Sequence, residues 1–356
     1  MSTVSVASNF QGTRSLPKWL APTVLVAVSL ASFLINSSLA DSSQETIQIN
    51  LLSVALMAAI GYSITFYLLS RLIEGKRKST DRLVTILVTS AFGLAVVPLV
   101  SLAWTVIERG AARFDVEFFT FSMRNVVGAG GGAYHAIVGT LQITGLATLI
   151  SVPIGIMTAI YLVEYARGPL ARAVTFFVDV MTGIPSIVAG LFAYAAFVLV
   201  FGPGVRMGIG GAVALSVLMI PVVIRATEEM LKIVPNELRE ASYALGVPKW
   251  LTVTKVVLPT ALAGIATGVM IAIARIIGET APLLIIAGFT ASTNFNPFDE
   301  RMMTLPVFVY TSYSNQGADA QTYIDRAWTG ALVLMLIVML LNLFARLVSK
   351  FFSPKG

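Results

Sequence analysis

Arg275 and Glu279 stand four residues apart inside an otherwise apolar run, and Thr280 follows directly. On a helix that spacing puts both charges on one face. They read as a self-neutralising ion pair or as part of an anion path. In the path reading the guanidinium, charged at every relevant pH, offers paired donors to two oxygens of a phosphate-like ion. The neighbouring carboxylate then lowers the net attraction, so that the ion leaves. An arginine at such depth in a bilayer costs about 2.5–3.5 kcal/mol, so a partner or a wet cavity must compensate. Arg225, near the end of an earlier run, reads as a continuation of that path or as an interfacial anchor. Gly183-Ile184-Pro185-Ser186 interrupts another run. There a helix either kinks or restarts, and a restart would turn free amides and a positive dipole end toward an anion beside Ser186.

Other chemistries are excluded by composition. The chain has no cysteine and a single histidine, His135, which removes thiol catalysis, thiolate metal sites and disulfides. His135 opens an apolar run and reads as an interfacial polar residue rather than a ligand. No nucleophile and base pair suits a membrane enzyme, and no metal site is expected.

The elements that must position these side chains follow from solvent preference. Hydrophobic residues make up 56% of the 356 and charged residues 12%, against about 25% charged in soluble domains. Runs of roughly 20 apolar residues are long enough to cross a bilayer. Eight occur: Trp19 to Leu39, Ile49 to Leu69, Leu83 to Ile107, His135 to Val163, Val174 to Phe201, Gly208 to Ile224, Ala261 to Ala287 and Trp328 to Leu347. Their continuity, without the alternation of a membrane barrel, predicts an all-α polytopic protein with eight transmembrane helices.

With both termini cytoplasmic, the inside segments carry seventeen of the 24 Lys and Arg residues, and Arg109, Arg113, Arg124, Arg206, Arg301 and Arg326 fall outside. The positive-inside rule therefore favours that orientation. The net charge of +6 is thus accounted for by topology, with no nucleic acid implied. The basic linker Arg71 to Arg82 divides the chain into a two-helix section, residues 1–82, and a six-helix section, residues 83–356. Arg14 and Lys18 before the first run, with Ser38-Leu39-Ala40 after it, also resemble a secretory signal, although the full-length run favours an uncleaved helix. The outside loops Glu108 to Tyr134 and Gly288 to Ala327 are long enough to meet a partner. The glycines at 128, 130, 131 and 132 lack the Gly-Lys-Ser/Thr of a nucleotide-binding loop and read as a flexible approach to the fourth run.

The inside segment 225–260 holds a short helix. Pro235 or Asn236 opens it, Glu237 and Glu240 sit near its positive end, and Gly246 supplies the left-handed closing residue. Ala241 and Ala244 leave one face low enough for another backbone, and Leu238, Ser242 and Leu245 line a neighbouring face. The helix suits a groove on a soluble protein, or equally the plane of the bilayer surface.

Glu240-Ala241-Ser242, then Gly246, then Val257-Leu258-Pro259 resembles the Glu-Ala-Ala loop of ABC-type import permeases, with Ser242 in place of the second alanine. Three further blocks, Gly183-Ile-Pro-Ser-Ile-Val-Ala-Gly190, Pro221-Val-Val-Ile-Arg225-Ala-Thr-Glu228 and Arg275-Ile-Ile-Gly-Glu279-Thr280-Ala-Pro282, resemble the A-type permease subunits of the phosphate-specific subfamily. The resemblance covers roughly Leu83 to Leu347 and leaves two helices extra. It implies that Glu240, Ala241, Ser242, Ala244, Leu245 and Gly246 dock on a cytoplasmic ATPase, and that Arg275, Glu279, Arg225, Ser186 and Thr280 line the substrate path. It also implies a related second permease subunit, two ATPase subunits that hold ATP and Mg, an extracytoplasmic phosphate-binding protein, a plasma-membrane location, and no cofactor on this chain. A permease for sulfate or molybdate, and an ion-coupled carrier using Arg275 and Glu279, are the alternatives.

Overall fold

The computed structural model describes residues 16–17, 19–39, 51–317 and 319–352. Arg14, Lys18, Ala40 and Lys355, used in the topology and signal readings, lie outside the described residues. The chain is helical with no strand among the described residues: α1 Leu20–Leu39, α2 Leu51–Ile73, α3 Lys76–Gly110, α4 Val116–Thr120, α5 Tyr134–Ile160, α6 Pro169–Thr182, α7 Ser186–Phe201, α8 Gly208–Ile233, α9 Asn236–Ala244, α10 Lys249–Thr252, α11 Leu258–Ile276, α12 Ala281–Ile286, α13 Leu305–Ser314 and α14 Ala320–Phe352. Among the described residues, seven helices are long and apolar enough to cross a membrane, eight if α6 and α7 count as one bent span. The expected multi-spanning all-α class holds. The run Val174 to Phe201, however, is not one straight span, because α6 and α7 meet at 110°.

Two compact units divide after Ala103, within α3. In the first, α1 and α2 pack closely, since a Cβ on Gly61 would lie 2.8 Å from Val28 Cγ1. The basic segment expected as a linker is largely helical: after Gly75, at φ +89°, Lys76 to Arg82 form the first turns of α3. Glu74 is tied down by the Leu16 amide at 2.8 Å, Ser70 Oγ at 2.9 Å and Arg82 Nε at 2.7 Å. Burial alone would raise its pKa, but these three donors outweigh burial and hold it below the usual carboxylate range.

In the second unit α5 and α8 are the central pair, joined by α11 to α14 around Ile143, Leu215, Met219, Ile276, Leu283, Leu305 and Phe308. Lipid is as apolar as leucine, so helices here associate by close packing rather than by escape from water. Small residues provide it: a Cβ on Gly155 would lie 2.6 Å from Val223 Cγ1, and one on Gly268 would lie 2.6 Å from Ala226 Cβ. Prolines 98, 153 and 221 sit inside α3, α5 and α8 without ending them.

Candidate functional site: two helix breaks and a cytoplasmic loop

The first break lies between α6 and α7. Pro185 lacks an amide proton and pushes Ile184 out of the helical region, while Gly183 caps α6. Of the two readings, kink or restart, the helix restarts, and half-buried Ser186 is its first residue. The second break lies between α11 and α12, where Gly278 and Pro282 together interrupt the helix through Gly278-Glu279-Thr280-Ala281. The expected Arg275 and Glu279 pair on one helical face is thereby corrected: α11 ends at Ile276 and no ion pair joins the two. Arg275, in the last turn of α11, is exposed and makes no hydrogen bond or ion pair to a described residue, whereas Glu279 and Thr280 are half-buried.

The two breaks are neighbours. A Cβ on Gly190 would lie 2.5 Å from Pro282 Cα, so α7 touches the start of α12 backbone to backbone. Ser186 lies one turn before Gly190, and Thr280 lies two residues before Pro282. Gly190 is eleven residues before Phe201, the end of α7. At 1.5 Å per residue that is about 16 Å, half the thickness of a bilayer core. The contact of Gly190 with Pro282 sets the starts of α7 and α12 side by side, with Ser186 one turn from it on α7, Glu279 and Thr280 just before α12, and Arg275 one turn earlier at the end of α11.

Arg225, expected as a continuation of the path or as an interfacial anchor, is held by two ion pairs. It donates to Glu228 at 2.7 Å and also bonds Asp179 of α6, so two carboxylates engage it. The guanidinium thereby clasps α6 to α8. His135 is likewise buried rather than interfacial, edge-on to Phe308 at 5.8 Å, with neither ring nitrogen hydrogen-bonded. The glycine segment is fixed rather than loose. Arg113 donates to Gly131 O at 3.0 Å, Arg326 donates to Gly130 O at 3.0 Å and bonds Gly128 O, and the Gly131 amide reaches Glu117 at 2.8 Å.

The loop between α8 and α11 forms as its sequence indicates. α9 ends in a Schellman closure: the Gly246 amide donates to Tyr243 O at 2.9 Å and the Val247 amide to Ser242 O at 3.2 Å, with Gly246 at φ +76°. Glu240, Ala241, Ala244, Leu245 and Gly246 are exposed, Leu245 by 83%. Ser242 departs from the expected docking set, because it is buried and its hydroxyl bonds Thr252 Oγ1 at 2.8 Å. It closes the loop on itself. Arg239, which the sequence reading passed over, anchors α9: it pairs with Glu164 at 2.9 Å and donates to Leu231 O at 2.9 Å, and the side chains are 12% and 5% exposed. Glu164 lies in the π-helical turn Tyr161–Tyr165 that ends the α5 span, and Lys249 bonds the Glu164 carbonyl. The only local signal for Arg239 was its place in the middle of the loop helix, since its partner is 75 residues away.

The family described as "Binding-protein-dependent transport system inner membrane component" matches residues 151–355, which contain both breaks and the loop. The chain is 44% identical to "Phosphate transport system permease protein PstA 1" of Mycobacterium tuberculosis, over 77% of this chain and 90% of that one. It is 41% identical to the PstA protein of Pasteurella multocida over 71% and 87%. Among solved structures, a bacterial alginate ABC transporter in complex with an alginate-bound periplasmic protein shares the fold, with a TM-score of 0.55 at 14% identity, over 78% of this chain and 97% of that one. With permease architecture, exposed loop helix and relatives in agreement, this chain, a multi-pass inner-membrane transport subunit, belongs to the family of PstA phosphate transport system permease proteins.

Proposed function

We propose that this chain forms one half of the transmembrane path of an ATP-driven importer of inorganic phosphate, its termini and loop 225–260 in the cytoplasm. The observation that carries the reading is α9: an exposed face on a helix fixed to the span by a buried ion pair, in a chain 44% identical to a phosphate permease. A rigid link of this kind transmits the movement of a soluble motor to the bilayer, which an ion-coupled carrier does not need. ATP and Mg are held by two partner ATPase subunits, so this chain contributes a path and a coupling surface and no catalytic site. A related permease subunit completes the path, and an extracytoplasmic binding protein delivers the ion.

In this path Arg275 faces the partner permease subunit, a placement supported by its exposure and its lack of a partner among the described residues. Its guanidinium meets the anion, Ser186 and Thr280 present hydroxyl groups where α7 and α12 start, and Glu279 opposes tight retention. Arg225, half-buried and clasped by Glu228 and Asp179, stands toward the cytoplasmic end of the same path. Uptake of inorganic phosphate into vesicles reconstituted with the complete transporter tests the function. The expected result is ATP-dependent accumulation that disappears without the ATPase subunits. Accumulation driven by an ion gradient alone would establish the carrier reading, and preference for sulfate would reassign the substrate.

A further inference from the structure

At the far end of α12 from the second break, two arginines share a pocket. Arg206, in the connection from α7 to α8, and Arg301, in the connection from α12 to α13, line a cavity of about 360 Å3 with Gly204, Phe289, Thr290 and Glu300. Gly288 explains their convergence. At φ +76° it carries no side chain, and a Cβ there would lie 3.0 Å from Arg206 Cδ and 3.3 Å from Arg301 Cδ, so the two aliphatic stems occupy the room beside it. Neither guanidinium makes an ion pair or hydrogen bond to another described residue. Glu300, itself held at φ +57°, lines the same pocket without pairing with either.

Two neighbouring cations repel unless an anion lies between them, and planar guanidinium groups bind tetrahedral oxyanions through paired N–H donors. Thr290 Oγ1 accepts the Ser292 amide at 3.2 Å, which leaves its hydroxyl proton to donate into the pocket. Position adds to chemistry. The Met207 amide donates to Ile286 O at 3.0 Å and the Met302 amide to Ala287 O at 3.1 Å. Both arginine-bearing connections are thereby tied to the carboxyl end of α12, whose other end follows Glu279 and Thr280. Six residues separate the pocket from the second break, about 9 Å of helix.

We infer that this pocket binds inorganic phosphate on its way to the break at Glu279 and Thr280, held by Arg206, Arg301 and the Thr290 hydroxyl, with Glu300 keeping the affinity low enough for onward transfer. The inference rests on the phosphate-import reading. The assembled transporter in lipid nanodiscs, treated with an arginine-selective dicarbonyl and mapped by peptide mass spectrometry, tests it. Inorganic phosphate is expected to slow modification of Arg206 and Arg301 together several-fold, chloride at matched ionic strength is expected not to, and T290V weakens the protection. Phosphate uptake is measured in vesicles from the same preparation. Unprotected arginines in a preparation that imports phosphate overturn the pocket and leave the transport reading standing. Protected arginines without import support the pocket and fail the transport reading. Protection by an added acidic binding protein but not by phosphate overturns the pocket as well, by making these arginines a protein contact.

Discussion

Arg239 and Arg275 are the same side chain under opposite conditions. Arg239 is largely buried, paired with Glu164 and bonded to backbone carbonyls. Arg275 ends a helix, exposed, with no partner among the described residues. A satisfied guanidinium in a low-dielectric setting fixes geometry, because separating it from its carboxylate strands a buried charge. An unsatisfied one keeps its donors for something that arrives later. In the proposed path, the contrast separates an arginine that builds this permease from one that meets what passes through it.

The two arginines should therefore fail in different ways when removed. R275A is expected to abolish phosphate uptake while the chain inserts and melts like the parent and still co-purifies with the ATPase; wild-type uptake by that variant would take Arg275 off the path. R239A is expected to leave Glu164 uncompensated, at a cost of about 3–5 kcal/mol. Its signature is a lower melting temperature in detergent together with lost ATPase co-purification. The double variant R239M with E164L should recover most of the stability, since an apolar pair of similar volume strands no charge. If R239A melts normally, the ion pair does not hold α9.

How much of this was legible beforehand follows from which signals are local. The apolar runs gave the fold class because solvent preference acts on each segment separately. The break at Gly183 to Ser186 was visible because a glycine and a proline fall together. The same pairing of glycine and proline stands in Gly278 to Pro282, but the four-residue spacing of Arg275 and Glu279 is also that of one helical face, so the two local signals conflict there. Partners distant in the chain were not legible: Asp179 for Arg225, Glu164 for Arg239, Gly128 and Gly130 for Arg326. Prolines 98, 153 and 221 show why proline alone was insufficient, since neighbouring helices let a spanning helix continue through them.

Smaller effects sharpen the comparison within the loop. Nothing lies within 4 Å of a Cβ built on Gly246, yet its φ of +76° disfavours any side chain. G246A should cost about 1–2 kcal/mol through backbone strain alone. A bulky residue at the same position should cost a similar amount in loop stability but also collide with a docked ATPase. Equal ATPase association for the alanine and the bulky variant would show that Gly246 serves only to end α9.

The smallest expected effect is at Ser242. S242A removes a buried hydrogen bond to Thr252, a loss of about 0.5–1.5 kcal/mol, softened because Thr252 Oγ1 also lies 3.4 Å from the Pro248 carbonyl. The double variant S242A with T252V should be closer to the parent than S242A alone, since removing both partners leaves no unsatisfied hydroxyl. Both variants should bind the ATPase normally, because the hydroxyl faces inward while Ala241, Ala244 and Leu245 face outward. Weaker ATPase association by S242A at unchanged loop stability would move Ser242 back to the docking surface, and the division between inward and outward residues of α9 would have to be redrawn.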